Sequence, residues 1–203
     1  MTYKLILRMK KSLYIIGIFF LTSIFISCND NESKTIKVIY SDEEIGLDNF
    51  EALSLRPYQI DAMVYIPDET ASIGASTSTT IKHDLDSYEW LIEAGPNFRL
   101  KIEDWGDEPF EEFLTYVDDL DIYNIEYLEK DENFVVYKTT LKFKGISNDN
   151  KVGVNHESFH VAAQHTINGI NYIFRTDDDG CEEKIVNYMI KSVKSIRPLK
   201  NGE

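Results

Sequence analysis

One turn near the carboxyl end constrains the fold of this chain more than any other feature. Asn168-Gly169 separates two runs rich in β-branched and aromatic residues, and this dipeptide favours a two-residue hairpin turn because both of its positions tolerate positive φ. The side chains that would face one another across such a turn are mostly apolar or aromatic: Ile167 with Ile170, His165 with Tyr172, Ala163 with Phe174, and Val161 with Thr176. The opposite face of the pair is mostly polar. The sequence therefore predicts an antiparallel hairpin over residues 161–176.

Other runs predict further strands. Residues 88–94 and 98–103 are strand-like and flank Gly95-Pro96-Asn97, a tripeptide with turn chemistry, which predicts a second hairpin. Additional strand runs are expected at 58–66, 79–84, 122–129 and 134–144, with one possible short run at 36–40.

Two segments carry helical periodicity. Apolar residues recur at helical spacing in a segment that we expect to be a helix over 108–120, with Asp107 able to cap it and Pro109 suited to its first turn. A second stripe predicts a helix within 181–196. The two stripes are Phe110, Phe113, Leu114 and Val117, and Ile185, Met189, Val193 and Ile196.

The order of these elements is strands, helix, four more strands, and a final helix. Such an order is typical of an α+β fold in which helices pack on an antiparallel sheet, here of about six to seven strands with two main helices. Hydrophobic residues make up 43% of the whole chain, and residues 51–203 have the material for one sizeable core and are too short to need two. We therefore expect a single domain over 51–203.

The final hairpin, and the helix that ends Lys191-Ser192-Val193-Lys194-Ser195-Ile196, resemble the carboxyl end of Mog1/PsbP-like domains. The resemblance covers residues 50–197 by element order. It implies a sheet covered by helices on both sides, an α/β/α-type sandwich, and a binding or assembly role rather than catalysis. It carries over no functional residue.

The amino-terminal residues have the order of a secretion signal. Met9-Lys10-Lys11 precedes an apolar run over 13–26, and Ser27 then stands beside Cys28. The run has 14 residues, fewer than the roughly 20 that a membrane-spanning helix needs. We therefore expect a signal peptide over 1–27, and translation from Met9 rather than Met1 because the signal is complete without the first eight residues.

Residues 25–28, Phe-Ile-Ser-Cys, resemble the lipobox of bacterial lipoproteins. The resemblance implies that the Cys28 thiol is diacylated as the lipidation site, that cleavage occurs just before it, and that the new amino group is acylated. Three acyl chains exceed the two signals that stable membrane attachment requires. The expected protein is therefore anchored to the cell envelope by lipid and does not span the membrane.

Residues 28–50 are polar and acidic, and we expect them to form a tether. The run over 29–34, Asn-Asp-Asn-Glu-Ser-Lys, resembles the acidic tag that sends lipoproteins to the cell surface in some Gram-negative groups. The alternative is a plain solvated linker. We expect the outer membrane, and both its periplasmic face and the cell surface stay open.

Charge restricts the partners. Removing residues 1–27 takes away four basic residues (Lys4, Arg8, Lys10 and Lys11) and no acid, so the formal charge changes from −14 to −18. We therefore expect no nucleic-acid partner, and an anionic membrane surface would repel the domain, so that the lipid alone would provide membrane contact. A cationic protein partner or divalent cations fit this charge better.

The segment His156-Glu157-Ser158-Phe159-His160 matches H-E-x-x-H, the zinc-protease signature. On a helix, His156 and His160 would share a face as zinc ligands while Glu157 activated water, and Glu182 or Glu183 could supply a third ligand. The hairpin at Asn168-Gly169 instead places this segment on a strand, where the two imidazoles lie too far apart to share one ion. We therefore expect no metal and no catalytic residue here, with zinc as the alternative cofactor.

Three other features have a chemical and a structural interpretation. The carboxylates of Asp177-Asp178-Asp179-Gly180 could hold calcium, but they depart from the EF-hand spacing and fit the end of a hairpin better, with one aspartate near the start of the final helix. Cys181 has no cysteine partner once Cys28 is acylated, so we expect a partly buried structural thiol. Trp90 and Trp105 could stack on a ligand, although core packing is the expectation for Trp90.

Two functions follow as hypotheses. The first is a non-catalytic, lipid-anchored binding or assembly module of the envelope with a protein partner. The second is a small zinc-dependent hydrolase that uses His156, Glu157 and His160. A strand around residues 154–166 would favour the first hypothesis, and a helix there the second.

Overall fold

The computed structural model describes residues 46–74, 79–84, 86–142 and 157–199. These residues form ten strands and two α-helices. In chain order, the strands before the first helix are β1 (Phe50–Ser54), β2 (Ala62–Pro67), β3 (Thr79–Asp84), β4 (Glu89–Ala94) and β5 (Phe98–Asp104). Helix α1 (Phe110–Asp118) is followed by β6 (Tyr123–Asp131), β7 (Phe134–Leu141), β8 (Glu157–Ile167) and β9 (Ile170–Thr176). Helix α2 (Glu183–Lys194) and the two-residue strand β10 (Arg197–Pro198) complete the described elements.

Seven strands form one antiparallel sheet in the order β3-β4-β5-β9-β8-β7-β6. The β8–β9 hairpin turns at Asn168 and Gly169, which have φ of 53° and 84°, and it pairs Ile167 with Ile170 and Ala163 with Phe174. That register is the one the sequence predicts. The fold is α+β, with a seven-stranded antiparallel sheet and two helices, as expected.

One face of this sheet packs against α2, and we call it the α2 face. Where α2 and β2 cover it, its side chains are apolar and buried, because alternate residues of each strand point to the same side. Each such large side chain removed from water contributes about 1.5–3 kcal/mol. The main contributors from the sheet are Ile92, Leu100, Ile102, Val136, Val161 and Phe174, and those from the helix are Ile185, Met189 and Val193.

A second, three-stranded sheet completes the same core. Its order is β1-β2-β10, with both outer strands antiparallel to β2. Alternate residues of β2, namely Ala62, Val64 and Ile66, are fully buried in the core that α2 also joins. The sequence did not predict β1 or β10, and it did not predict that β2 leaves the main sheet.

Helix α1 packs on the opposite face of the main sheet, which we call the α1 face. Phe110, Phe113 and Val117 from the predicted stripe are buried against the sheet. This apolar cluster is small and covers part of the face only. Its sheet members are Val135, Tyr137, Ala162 and Ile173.

Helix α1 lies two residues inside the expected range of about 108–120 at each end. The helix begins at Phe110, and Pro109 is its N-cap residue without a side-chain cap, so Asp107 does not cap it. The reason is that a proline disfavours helical backbone at the residue before it, here Glu108. The predicted strand at 36–40, the tether up to residue 45 and the loop at 147–151 lie outside the described residues.

Candidate functional site

Charged side chains occupy the α1 face where α1 does not cover it. Lys101 of β5 and Arg175 of β9 are directly opposite each other in the sheet. Two cations in such positions repel each other unless a carboxylate lies between them. Glu103, two residues along β5 and therefore on the same face, provides it.

The carboxylate of Glu103 accepts from three side chains. Its Oε1 lies 2.6 Å from Nη2 of Arg175 and 3.1 Å from Nζ of Lys101. Its Oε2 accepts from Nε1 of Trp105 at 3.2 Å. Because Glu103 is only 9% exposed, the loss of water around this carboxylate is offset by donors that the protein itself supplies.

Two further carboxylates lie at the rim of this cluster. Asp178 Oδ1 lies 2.7 Å from Arg175 Nη2, and Glu89 Oε2 lies 3.0 Å from Lys101 Nζ. Asp178 belongs to the loop after β9, and its side chain is 64% exposed. We name the five residues Lys101, Glu103, Arg175, Asp178 and Glu89 the charged cluster.

The central pair of the charged cluster, Glu103 and Arg175, keeps itself ionised. Burial alone would raise the pKa of Glu103, but the hydrogen bond and charge of Arg175 hold that pKa below its ordinary value. Burial alone would lower the pKa of Arg175, and Glu103 together with Asp178 raises it instead. Glu103 and Arg175 are therefore a charged pair at physiological pH.

His160 of β8 lies next to this cluster on the α1 face. Its ring stacks on Tyr137 with centroids 4.8 Å apart, and its Nε2 lies 3.2 Å from Oγ1 of Thr139. On the other side its Nδ1 is 3.5 Å from Oγ1 of Thr176. Burial, and secondarily the charge of Arg175, lowers the pKa of His160 to about 4. The imidazole is therefore neutral and held by two hydroxyl groups.

The H-E-x-x-H segment falls on β8, as the hairpin pattern predicts, so far as it is described. Glu157 and His160 are three residues apart on a strand and point to opposite faces of the sheet. Glu157 lies 3.9 Å from Nζ of Lys138 on the α2 face, whereas His160 is buried on the α1 face. The shared helical face that a zinc protease uses is not formed by these two residues, and His156 lies outside the described residues.

The aspartates at the end of β9 pair with basic side chains. Asp177 Oδ2 lies 2.5 Å from Nη1 of Arg99, and Asp178 joins the charged cluster. The amide of Gly180 donates to the Asp177 carbonyl and closes a turn, and Glu182 rather than an aspartate is the N-cap residue of α2. In the described part of the chain, no group of three or more His, Cys, Asp or Glu side chains is arranged to hold a metal ion.

An open depression of about 270 Å³ lies between β3, β4 and the loop after β9. Two lysines, four acids and two apolar residues line it. They are Lys82 and Lys101, then Asp84, Glu89, Asp177 and Asp178, and finally Trp90 and Leu91. This polar surface can contact a ligand or protein without enclosing it.

Cys181 and the two tryptophans have structural roles. The backbone of Cys181 pairs with that of Phe159, and burial raises the pKa of its half-buried thiol to about 12. Trp90 is 5% exposed and belongs to the core of the α2 face, as expected. Trp105 donates to Glu103 and packs edge-on against Phe113.

Sequence reasoning missed the charged cluster. The sequence shows that polar and apolar residues alternate along β5, and the hairpin turn sets the register of β9. Each pattern places the charged residues of its strand on one face. What the sequence did not indicate is that β9 pairs with β5, and only this pairing brings Arg175 beside Lys101.

Comparison with known proteins identifies no similar family, protein or structure. No family model matches the chain, and no curated protein or solved structure is significantly similar to it. Among the described residues, neither helix has the length and apolar character needed to cross a bilayer. Cys28 and the signal segment lie outside the described residues.

Proposed function

We propose that this protein is a non-catalytic binding or assembly module that a lipid on Cys28 attaches to the cell envelope. The anchor rests on the lipobox-like residues 25–28 and the signal-like segment before them. Its membrane is the outer membrane, on the periplasmic face or at the cell surface. Its partner is a protein of the envelope, and the lipid provides the membrane contact.

The conformation of Glu157–Ile167 is the observation that carries the choice of class. This segment is a strand in the middle of a sheet, so Glu157 and His160 point to opposite sides of the sheet. The neighbouring ionisable groups are paired with one another rather than directed into a closed cleft. Both observations favour a surface that binds a partner over a centre that performs hydrolysis.

Two measurements test this proposal, one on a variant and one on the unaltered protein. Cys28→Ser removes the acceptor for the lipid, so we expect the variant to lose metabolic labelling by palmitate. Affinity purification of the unaltered lipoprotein from solubilised envelopes should recover a defined partner in repeated preparations. Undiminished palmitate labelling of the Cys28→Ser variant would contradict the anchor, and repeated recovery of no partner would contradict the binding role.

A further inference from the structure

Strand β6 is an edge of the main sheet. It pairs with β7 on one side, and no described strand lies on its other side. An edge strand of nine residues presents main-chain donors and acceptors that another extended chain can use.

Several apolar side chains on or near β6 are partly or mostly exposed. Ile125 and Tyr127 pack against the cluster beneath α1 but are only partly buried. Of the four large apolar side chains that are mostly exposed in the described residues, three lie on β6, just before it or on α1. These are Ile122 at 61%, Leu128 at 50% and Tyr116 at 53% exposure. An added strand would cover apolar surface that the described chain leaves open.

The same edge is acidic. Residues 118–132 contain seven acids and one base, Lys130. Lys138 and Lys194 pair with Glu126 and Glu129, and Nζ of Lys142 lies 3.0 Å from the Asp121 carbonyl oxygen, so that the four lysines leave an excess of three negative charges at this edge. A basic segment therefore fits the edge better than a second copy of this acidic chain.

We propose that β6 accepts an extended, basic segment of the partner protein as an eighth strand of the main sheet. The segment alternates apolar residues, which pack beside Ile125 and Tyr127 on the α1 face, with basic residues beside Glu126 on the α2 face. The bulge at Leu128, between Tyr127 and Glu129, interrupts the edge, so main-chain pairing covers Tyr123–Tyr127. This assignment rests on the binding role proposed above.

The test uses the full-length lipoprotein in detergent and three synthetic heptapeptides. The probe alternates lysine and valine; one control has proline at its central position, and another has glutamate in place of lysine. Hydrogen exchange measured by mass spectrometry should show that the lysine–valine probe slows exchange in residues 119–131, and that neither control does so. Protection confined to another surface, equal binding of the proline control, or no binding of the probe at millimolar concentration would overturn the proposal.

A charge reversal on the edge gives a second readout. Glu126 is 62% exposed in its side chain, and Glu157 still lies near Lys138 when Glu126 is replaced, so Glu126→Lys should still fold, which its circular dichroism spectrum checks. Its affinity for the lysine–valine probe should fall about fivefold or more, since the reversal makes the edge more positive by two charges and leaves Lys138 beside a second lysine. Glu111→Lys, an equal change at an exposed position of α1, is the matched control and should keep its affinity.

The envelope partner distinguishes this proposal from the binding role itself. A partner that the unaltered protein and Glu111→Lys recover, and that Glu126→Lys loses, supports the edge. A partner that Glu126→Lys retains in full overturns the assignment to β6 and leaves the binding role standing. Recovery of no partner by the unaltered protein contradicts the binding role.

Discussion

The two faces of the seven-stranded sheet solve the same packing problem in different ways. The α2 face has a continuous apolar core where α2 and β2 of the second sheet cover it. The α1 face has a small apolar cluster under α1 and a charged cluster beside it. Phe174 and Arg175 are neighbours in β9 and point to opposite faces. The same strand therefore contributes to the apolar core on one side and to the charged cluster on the other.

The two faces therefore contribute differently to the free energy of folding. The apolar face gains free energy from removing side chains from water. The charged cluster gains little from being charged, because the cost of burying Glu103 and Arg175 approaches their mutual attraction. It is costly to disrupt, however, because loss of one partner leaves the other buried. Four predictions test this comparison, starting with the largest effect.

Phe174→Ala should have the largest effect on stability. Phe174 is fully buried on the α2 face, so its removal leaves a cavity in addition to the lost apolar burial. We expect the free energy of unfolding to fall by about 4 kcal/mol, measured by urea denaturation. A loss below about 1 kcal/mol would mean that the α2 face is not the main core.

Arg175→Met should lower the free energy of unfolding by about 3 kcal/mol, because it leaves the Glu103 carboxylate buried without its closest donor. Lys101 and Trp105 still donate to Glu103, which limits the loss. The double variant Glu103→Met/Arg175→Met should recover a large part of it, since no unpaired charge remains. Additive losses in the double variant would contradict the pairing.

Gly180→Ala should cost about 2 to 3 kcal/mol. Gly180 has φ of +69°, and a Cβ there would lie 2.7 Å from Cε1 of His160 and 2.8 Å from the Phe159 carbonyl oxygen. Gly169→Ala is the matched control, because Gly169 also has positive φ but a Cβ there would contact nothing within 4 Å. It should cost about 1 kcal/mol from backbone strain alone. Equal losses of unfolding free energy in the two variants would contradict the predicted clash with His160.

Stability should fall by about 2 kcal/mol between pH 7 and pH 5 through His160 alone. The pKa of His160 is lowered to about 4 in the folded protein from the ordinary 6.5, so the unfolded chain binds the proton first. The stabilisation is complete above pH 6.5 and is lost as the pH falls toward 4. Urea denaturation at both pH values should show this loss of unfolding free energy. The loss should be smaller in His160→Gln. The variant His83→Gln, at the sheet edge, is the control and should show the same loss as the unaltered protein. An unchanged pH dependence in His160→Gln would contradict the burial of a neutral imidazole.

The sequence predicted the parts of the fold that local chemistry determines. Asn168-Gly169 set the register of β8 and β9, and the stripe of Phe110, Phe113 and Val117 located α1. It could not predict which strands become neighbours across long separations, such as β5 with β9 or β2 with β10. The charged cluster depends on the first of these pairings, and the second sheet depends on the other.

The assignment of the H-E-x-x-H segment to the sheet decides between the two function classes. Zinc content, measured on the protein purified without chelators, tests it most directly, with His160→Ala as the paired variant. We predict that neither protein carries stoichiometric zinc, because both ring nitrogens of His160 face threonine hydroxyl groups, Nε2 that of Thr139 and Nδ1 that of Thr176. Stoichiometric zinc in the unaltered protein that is lost in His160→Ala would contradict this account and favour a zinc hydrolase.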